Sequence, residues 1–121
     1  MGLGKTVPIL RMFDEAKAKE FYVGFLGFVV DWEHRFEDGA PLYMQISKDE
    51  CVIQLSEHYG DASPGAAVRI QTTELDAFQR QLSEKKYKYA NPGAPQDTPW
   101  GTTELGIKDP FGNRLIFANR A

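Results

Sequence analysis

The sequence predicts an α+β fold in which two similar halves each supply a curled β-sheet. Three observations predict it. The order strand–helix–strand–strand–strand occurs twice, with the copies about 60 residues apart. A polar linker rich in Gly, Pro, Ser and Asp separates the copies at residues 57–65. Each copy contains one helix with an apolar face, so each sheet is expected to bury one of its faces beneath that helix. The opposite face of each sheet, curved by sheet twist, is left to line a cleft.

The first half is predicted to extend over about residues 5–57. Pro8 interrupts its first β-prone run, so this strand lies either at a sheet edge or beside an exchange of strands between chains. Asp14 is a typical N-cap and Gly27 a typical stop for a helix over residues 16–26, whose apolar residues recur every three or four positions. The strands that follow are predicted at residues 28–35, 42–46 and 51–55.

The second half is predicted to extend over about residues 66–119, and the two halves form a single domain over residues 1–121. Its helix is expected to be capped by Thr72 or Thr73. The predicted elements are a strand at 66–71, a helix at 74–86, a short strand at 87–89, a loop at 91–99 and a hairpin at 103–118.

The closing hairpin contains the turn Asp109-Pro110-Phe111-Gly112-Asn113. Pro110 sets φ at the first corner, Gly112 and Asn113 tolerate positive φ, and the Asp109 side chain can accept hydrogen bonds from the turn backbone. The pattern predicts a tight turn whose role lies in folding.

Composition excludes several classes of function. A net charge of −3 argues against nucleic acid as a partner. No apolar run approaches the roughly 20 residues that a membrane span needs, and the first residues lack the apolar core of a signal peptide, so we expect a cytoplasmic protein. The single cysteine, Cys51, excludes an intrachain disulfide and is expected to be a buried, apolar thiol.

The acidic residues are unevenly distributed and concentrate after the first helix. The cluster consists of Asp31, Glu33, Glu37 and Asp38. It is either a solvated strand edge and turn, or a lip that attracts a cationic ligand.

Two sets of residues carry a family resemblance. They are Asp14, Ala18, Phe21-Tyr22 and Leu26-Gly27-Phe28 in the first half, and Pro99-Trp100-Gly101, Glu104, Asp109-Pro110, Gly112-Asn113 and Phe117 in the second. The first set resembles the first-module signature of the vicinal-oxygen-chelate superfamily, and the second set resembles the C-terminal signature of its bleomycin-resistance branch. The resemblance implies two βαβββ modules curled round a cleft, and a dimer in which the first strand or module is exchanged between subunits in many relatives.

The resemblance also bears on metal binding. Metal-dependent members carry one ligand on the first strand and one on the last strand of each module. In this sequence these positions are Val7, Gln54, Ala67 and Ile116. Divalent ions need imidazole or carboxylate donors, and Gln54 alone of the four has an oxygen to offer. We therefore expect no metal and no other cofactor, and we expect His34 and His58, which lie off these positions, to be ordinary surface histidines.

An emptied metal site leaves an apolar cleft with aromatic walls, which suits a flat, partly cationic ligand through stacking and cation–π contacts. The resemblance implies that Trp100 stacks on the planar rings of bleomycin-type drugs; the alternative is that Trp100 plugs its loop onto the sheet. The resemblance also implies that Phe36, with Trp32 on the same strand, forms the opposite wall; the alternative is that these rings pack across strands. The predicted ligand-binding residues are Trp100, Gly101, Phe36, Trp32, Gln54, Ser56, His58 and Tyr59.

These observations lead to two hypotheses about function, and the sequence does not separate the first from a protein that binds some other aromatic or cationic metabolite. The first is a homodimeric, non-catalytic protein that sequesters bleomycin-type glycopeptide antibiotics. The second is a glyoxalase-like lyase or a dioxygenase with an atypical metal site, in which a divalent ion contacts Gln54, His58 or Glu104. In the first hypothesis Glu104 is expected to bond the backbone of its loop.

Overall fold

A computed structural model describes residues 2–90 and 92–120, and these residues form two four-stranded mixed sheets and three helical segments. The two-module α+β fold predicted from the sequence is confirmed. The elements of the first half are β1 (Ile9–Arg11), α1 (Glu15–Lys19), a π-helix (Glu20–Phe25), β2 (Val29–His34), β3 (Tyr43–Lys48) and β4 (Cys51–Ser56). Those of the second half are β5 (Ala67–Gln71), α2 (Leu75–Glu84), β6 (Gln96–Asp97), β7 (Thr102–Lys108) and β8 (Arg114–Arg120).

Both sheets have the same topology. The strand order is β1-β4-β3-β2 in the first sheet and β5-β8-β7-β6 in the second. In each sheet the first strand runs parallel to the last strand of its module, and the remaining neighbours are antiparallel. Strand β1 lies at the edge of its sheet and pairs with β4 of the same chain, as expected for a strand that begins beside Pro8, which has no N–H to donate. An exchange of this strand between chains stays a prediction.

The first helical segment begins and ends within one residue of the predicted bounds, 16–26, but its last turns are wider than expected. The Asp14 carboxylate accepts a hydrogen bond from the Lys17 N–H at 2.9 Å, and Gly27 ends the segment at φ +87°. The last turns are π-helical because the Leu26 N–H donates to the Phe21 carbonyl, five residues back, at 2.9 Å. The wide turns still bury every predicted apolar residue of this helix, which are Ala18, Phe21, Tyr22, Phe25 and Leu26.

One continuous apolar core lies against one face of both sheets. Alternate strand residues enter it, as in β3, where Met44 and Ile46 are buried while Tyr43 and Gln45 are only partly buried. Cys51 is half-buried and packs against this core, and burial raises the pKa of its thiol. We call the opposite faces, which point away from the core, the open faces of sheet 1 and sheet 2.

Three local expectations in the second half are wrong. The segment over residues 87–89 is a turn and does not join a sheet. The Tyr87 ring packs on Phe25, with centroids 4.8 Å apart, and this contact holds the segment against the core. The fourth strand of sheet 2 is β6, which lies inside the predicted loop over residues 91–99; Asn91 itself lies outside the described residues. Neither Thr72 nor Thr73 caps α2, since Glu74 precedes it in the left-handed region at φ 56°.

The turn between β7 and β8 forms as predicted and also joins the two halves. One Asp109 oxygen accepts the backbone N–H groups of Phe111 and Asn113 at 2.9 and 2.8 Å, and Gly112 takes the positive φ, at +92°. The other oxygen accepts the buried Tyr22 hydroxyl at 2.6 Å, and the Asn113 amide donates to the Arg11 carbonyl at 2.9 Å. Burial, followed by the neighbouring Asp109 charge, raises the pKa of Tyr22 well above its usual value.

None of the helices within residues 2–90 and 92–120 is both long and apolar enough to cross a membrane.

Candidate functional site

A ladder of aromatic and amide side chains crosses the open face of sheet 1. The Trp32 ring stacks on Tyr43, with centroids 5.8 Å apart and planes 7° from parallel. The Tyr43 hydroxyl donates to the Gln54 side-chain carbonyl, the Gln54 amide donates to Gln45 at 3.0 Å, and the Gln45 amide donates to Asp31 at 3.1 Å. Burial raises the pKa of Tyr43, so its hydroxyl remains a donor at neutral pH.

The position of Trp32 depends on an irregularity in β2. The register shifts between Val30 and Trp32, so that Trp32 pairs with Gln45, whose side chain lies on the open face. Sequence reasoning found Trp32 and Gln54 but missed Tyr43 and Gln45. The alternation of β3, in which Tyr43 and Gln45 flank the buried Met44, is the signal that identifies them.

The other residues predicted for this wall differ in accessibility. Phe36 is 80% exposed and packs edge-on against His34 and His58, at centroid distances of 4.7 and 6.1 Å. Tyr59 is also exposed. Ser56 is fully buried, and its hydroxyl donates to Asp61 at 2.7 Å while accepting the His58 N–H at 3.0 Å. The Ser56 hydroxyl therefore stabilises the loop after β4 and is not presented on the open face.

Trp100 lies at the tip of a tight turn between β6 and β7. Thr98 and Thr102 close this turn: the Thr98 N–H donates to the Thr102 carbonyl at 2.8 Å, and the Thr102 N–H donates to the Thr98 hydroxyl at 3.1 Å. Gly101 allows the sharp bend with φ at +90°. Trp100 remains 67% exposed, so it does not plug the loop onto the sheet.

Glu104 connects Trp100 to the open face of sheet 2. Its Oε2 atom accepts hydrogen bonds from Arg69 at 2.6 Å, from the Thr102 hydroxyl at 2.8 Å and from the Trp100 indole N–H at 3.1 Å. Arg69, followed by Thr102, lowers the pKa of Glu104 to about 2. The expected bond between Glu104 and the loop backbone is replaced by these three side-chain contacts, and sequence reasoning missed Arg69.

The predicted site residues thus fall into two groups. Trp32, Phe36 and Gln54 lie on or beside sheet 1, whereas Trp100 and Gly101 lie beside sheet 2. Among the described residues, no ring contact links Trp32 with Trp100. Both groups point away from the shared core, so a single chain presents two separate walls.

The residues at the family's metal positions do not fit a divalent ion. Val7 precedes β1, Ala67 begins β5 and Ile116 lies within β8, and all three are apolar. The Gln54 amide is already bonded to Tyr43 and Gln45. Within the part of the chain that the structure describes, no three His, Cys, Asp or Glu side chains come together as a metal site would require.

An open cavity of about 390 Å³ lies elsewhere, beside the start of α1. Its charged lining is partly paired, since Arg35 bonds Glu15 and donates to the Ala40 carbonyl at 2.7 Å. Its lining residues are Arg11, Phe13, Glu15, Arg35, Gly39, Ala40, Pro41 and Glu57, and none of the predicted site residues is among them.

Two βαβββ modules, each with an open sheet face, define a protein of the vicinal-oxygen-chelate fold. The family model described as "Glyoxalase superfamily protein" matches residues 1–121. The chain therefore belongs to the glyoxalase superfamily, and the resemblance seen in the sequence is confirmed. A search of curated protein sequences found no match.

Solved structures share the fold over nearly the whole chain. One is TnmS3, an antibiotic binding protein from Streptomyces sp. CB03234, with a TM-score of 0.76 at 21% identity, covering 100% of this chain and 99% of that one. Another is the bleomycin-binding protein from bleomycin-producing Streptomyces verticillus in complex with copper(II)-bleomycin, with 0.73 at 23% identity, covering 97% and 96%. A glyoxalase-related enzyme from Clostridium phytofermentans has 0.76 at 17% identity, covering 100% and 98%. At these identities the likeness concerns the fold.

Proposed function

We propose that this chain is a metal-free, cytoplasmic binding protein that sequesters planar, partly cationic small molecules of the bleomycin type. The observation that carries the proposal is the exposed indole of Trp100, held out from the sheet by a closed turn and a hydrogen bond to Glu104. A large aromatic side chain that is both exposed and fixed is suited to stacking on a ligand ring at little entropic cost.

The wall on the open face of sheet 1 complements such a ligand in shape and charge. The Trp32–Tyr43 pair offers a flat aromatic surface, and Asp31 lies at the end of the amide ladder beside it. A carboxylate next to an aromatic surface favours a cationic group on the ligand. Two proteins of the same fold, described as an antibiotic binding protein and a bleomycin-binding protein, lend further support.

The two walls are proposed to meet in a homodimer. One chain exposes Trp32 on sheet 1 and Trp100 on sheet 2, on faces directed away from its own core. A second copy that sets its sheet 2 opposite sheet 1 of the first would bring the walls together and shield both from water. Such a cleft buries a ligand on two sides, as small-molecule sites normally do.

A titration with metal-free bleomycin tests the proposal. Isothermal calorimetry at micromolar protein is expected to detect binding, and Trp100→Ala is expected to raise Kd at least about tenfold, because a stacking ring and its buried area are lost. Tyr89→Ala is the matched control: Tyr89 is 69% exposed, close to the 67% of Trp100, and its ring contacts Tyr87. Equal affinities for wild type and Trp100→Ala would refute stacking, and no binding by wild type would refute the ligand.

Metal analysis of the purified protein separates binding from enzyme chemistry. The proposal expects less than one divalent ion per chain and bleomycin binding that is insensitive to chelator. A stoichiometric ion, lost on Gln54→Ala or His58→Ala, would instead support a lyase or dioxygenase with an atypical site.

A further inference from the structure

Three donors converge on one oxygen atom of Glu104. The Arg69 guanidinium, the Thr102 hydroxyl and the Trp100 indole N–H all donate to Oε2, at 2.6, 2.8 and 3.1 Å. The donors come from three different elements, namely β5, the start of β7 and the turn before it. A carboxylate that gathers donors from separate elements fixes their relative positions.

The Arg69–Glu104 pair reaches across the central strand of this region. Arg69 pairs in register with Ile116 of β8, and Glu104 pairs with Ala118, two residues further on. The two side chains therefore meet diagonally over β8, on the open face where a metal-dependent relative carries a ligand at the Ile116 position. Glu104 is the more enclosed partner, since 15% of its side chain is exposed compared with 50% for Arg69.

The indole has little else to hold it. Its turn is closed through backbone and hydroxyl groups of Thr98 and Thr102, which fix the backbone of Trp100 but leave its side-chain torsions free. No other ring packs on Trp100 among the described residues, and most of its surface is exposed. The hydrogen bond from Nε1 to Glu104 is the contact that sets the direction of the ring.

We propose that Glu104 is a positioning residue for Trp100, and that Arg69 is the counter-charge that holds Glu104 in place. The carboxylate fixes the edge of the indole, so that its faces are presented to a ligand in one orientation. The effect on ligand binding rests on the proposed function above, whereas the effect on the orientation of Trp100 does not. A ring that is already ordered loses less side-chain entropy when a ligand stacks on it.

Fluorescence of the free protein tests the positioning directly. The chain has two tryptophans, so Trp32→Phe leaves Trp100 as the sole tryptophan, whose emission is selected by exciting at wavelengths that tyrosine does not absorb. In this background Glu104→Ala is expected to increase the amplitude of fast anisotropy decay at least about twofold, because the indole gains freedom on the nanosecond scale. Glu104→Gln keeps an acceptor for the indole N–H but lacks the charge. Its amplitude of fast decay is expected to lie between those of the Trp32→Phe parent and the Glu104→Ala variant.

The matched control is Asp97→Asn. Asp97 lies on the same hairpin and accepts the Thr103 hydroxyl at 2.9 Å, but it does not bond Trp100. It is expected to leave the anisotropy decay unchanged. Equal decays for Glu104→Ala and its parent would overturn the proposal, and Glu104→Gln decides the matter in the same way if the alanine variant fails to fold.

A double-mutant cycle measures the consequence for binding. Glu104→Ala is expected to raise Kd for bleomycin about tenfold when Trp100 is present, but less than about twofold in a Trp100→Phe background, since phenylalanine has no N–H to be held. Equal losses in both backgrounds would mean that Glu104 acts through the sheet and would overturn the proposal. If wild type does not bind bleomycin, the proposed function fails while the anisotropy measurement still decides whether Glu104 positions Trp100.

Discussion

Strand β7 separates two carboxylates that collect hydrogen bonds in different ways. Asp109, just beyond its end, is 6% exposed and accepts two backbone N–H groups together with the side chains of Tyr22 and Asn113. Glu104, near its start, lies on the open face and accepts three side-chain donors, one of them the exposed Trp100. Both residues belong to the same signature of the family.

The difference separates residues that build the fold from residues that shape the site. A buried carboxylate bonded to backbone N–H groups closes a turn, and its loss leaves those groups without partners. A carboxylate that holds exposed side chains changes what the surface presents while the backbone stays paired through its strands. Residues of one motif can therefore have opposite consequences when they are replaced.

Asp109→Ala gives the largest effect expected from this comparison. Four donors lose their acceptor in a buried place, so the free energy of unfolding is expected to fall by about 3 kcal/mol or more. Urea denaturation followed by circular dichroism measures it. Glu104→Ala serves as the control on the same hairpin and is expected to lose clearly less, because it leaves no buried backbone N–H without an acceptor. Similar losses for the two variants would remove the distinction.

Tyr22→Phe isolates the link between the two halves. It deletes one hydroxyl, whose hydrogen bond to Asp109 measures 2.6 Å, and leaves the ring packed between its neighbours. The expected loss is about 1.5 kcal/mol of unfolding free energy, since the acceptor is a charged group. In the Asp109→Ala background the same change should cost much less, because the two residues share the bond. Full additivity would show that Tyr22 acts through packing alone.

Gly112→Ala and Gly101→Ala compare the turns at the two ends of strand β7. Both glycines have positive φ, at +92° and +90°, and a Cβ at either would meet nothing within 4 Å. Each substitution is expected to cost about 1 kcal/mol through backbone strain alone. Only Gly101→Ala is expected to weaken bleomycin binding, because it moves Trp100. A calorimetric Kd that rises equally in both variants would contradict this assignment.

Local signals in the sequence were sufficient for much of the fold. Asp14 before an apolar periodic run, and Asp109 and Gly112 within a turn motif, specify their structures through neighbours only a few residues away. The doubled strand order is likewise a pattern within each half. The two-residue strand β6 and the left-handed Glu74 carry no periodic signal, and their conformations come from the tertiary structure.

The candidate site was harder to predict because its contacts are distant in sequence. Trp100 stands out beside Pro99 and Gly101, and its partner Glu104 is only four residues away. Arg69, which bonds Glu104, lies on another strand, 35 residues before it. Tyr43 is predictable from the sequence, since its alternation with buried neighbours places it on the open face. The stacking of Trp32 on Tyr43 depends on a register shift in β2, which no local pattern in the sequence predicts.

Acid titration of the Glu104 network gives the smallest and most specific effect. Arg69, followed by Thr102, lowers the pKa of Glu104 from its usual 4.5 to about 2. Because the folded state favours the charged form of Glu104, the network's contribution to the stability of the folded protein is complete above pH 4.5. This contribution is lost as the pH falls through about 2. In the Trp32→Phe background, the Trp100 anisotropy decay is therefore expected to stay constant from pH 7 to about 3 and to become faster only nearer pH 2.

The measurement is valid while far-ultraviolet circular dichroism remains native, and Glu104→Gln, which cannot titrate, is expected to show no such change. A transition near pH 4.5 would mean that Arg69 does not hold the Glu104 charge in solution, and Glu104 would then resemble an ordinary surface carboxylate.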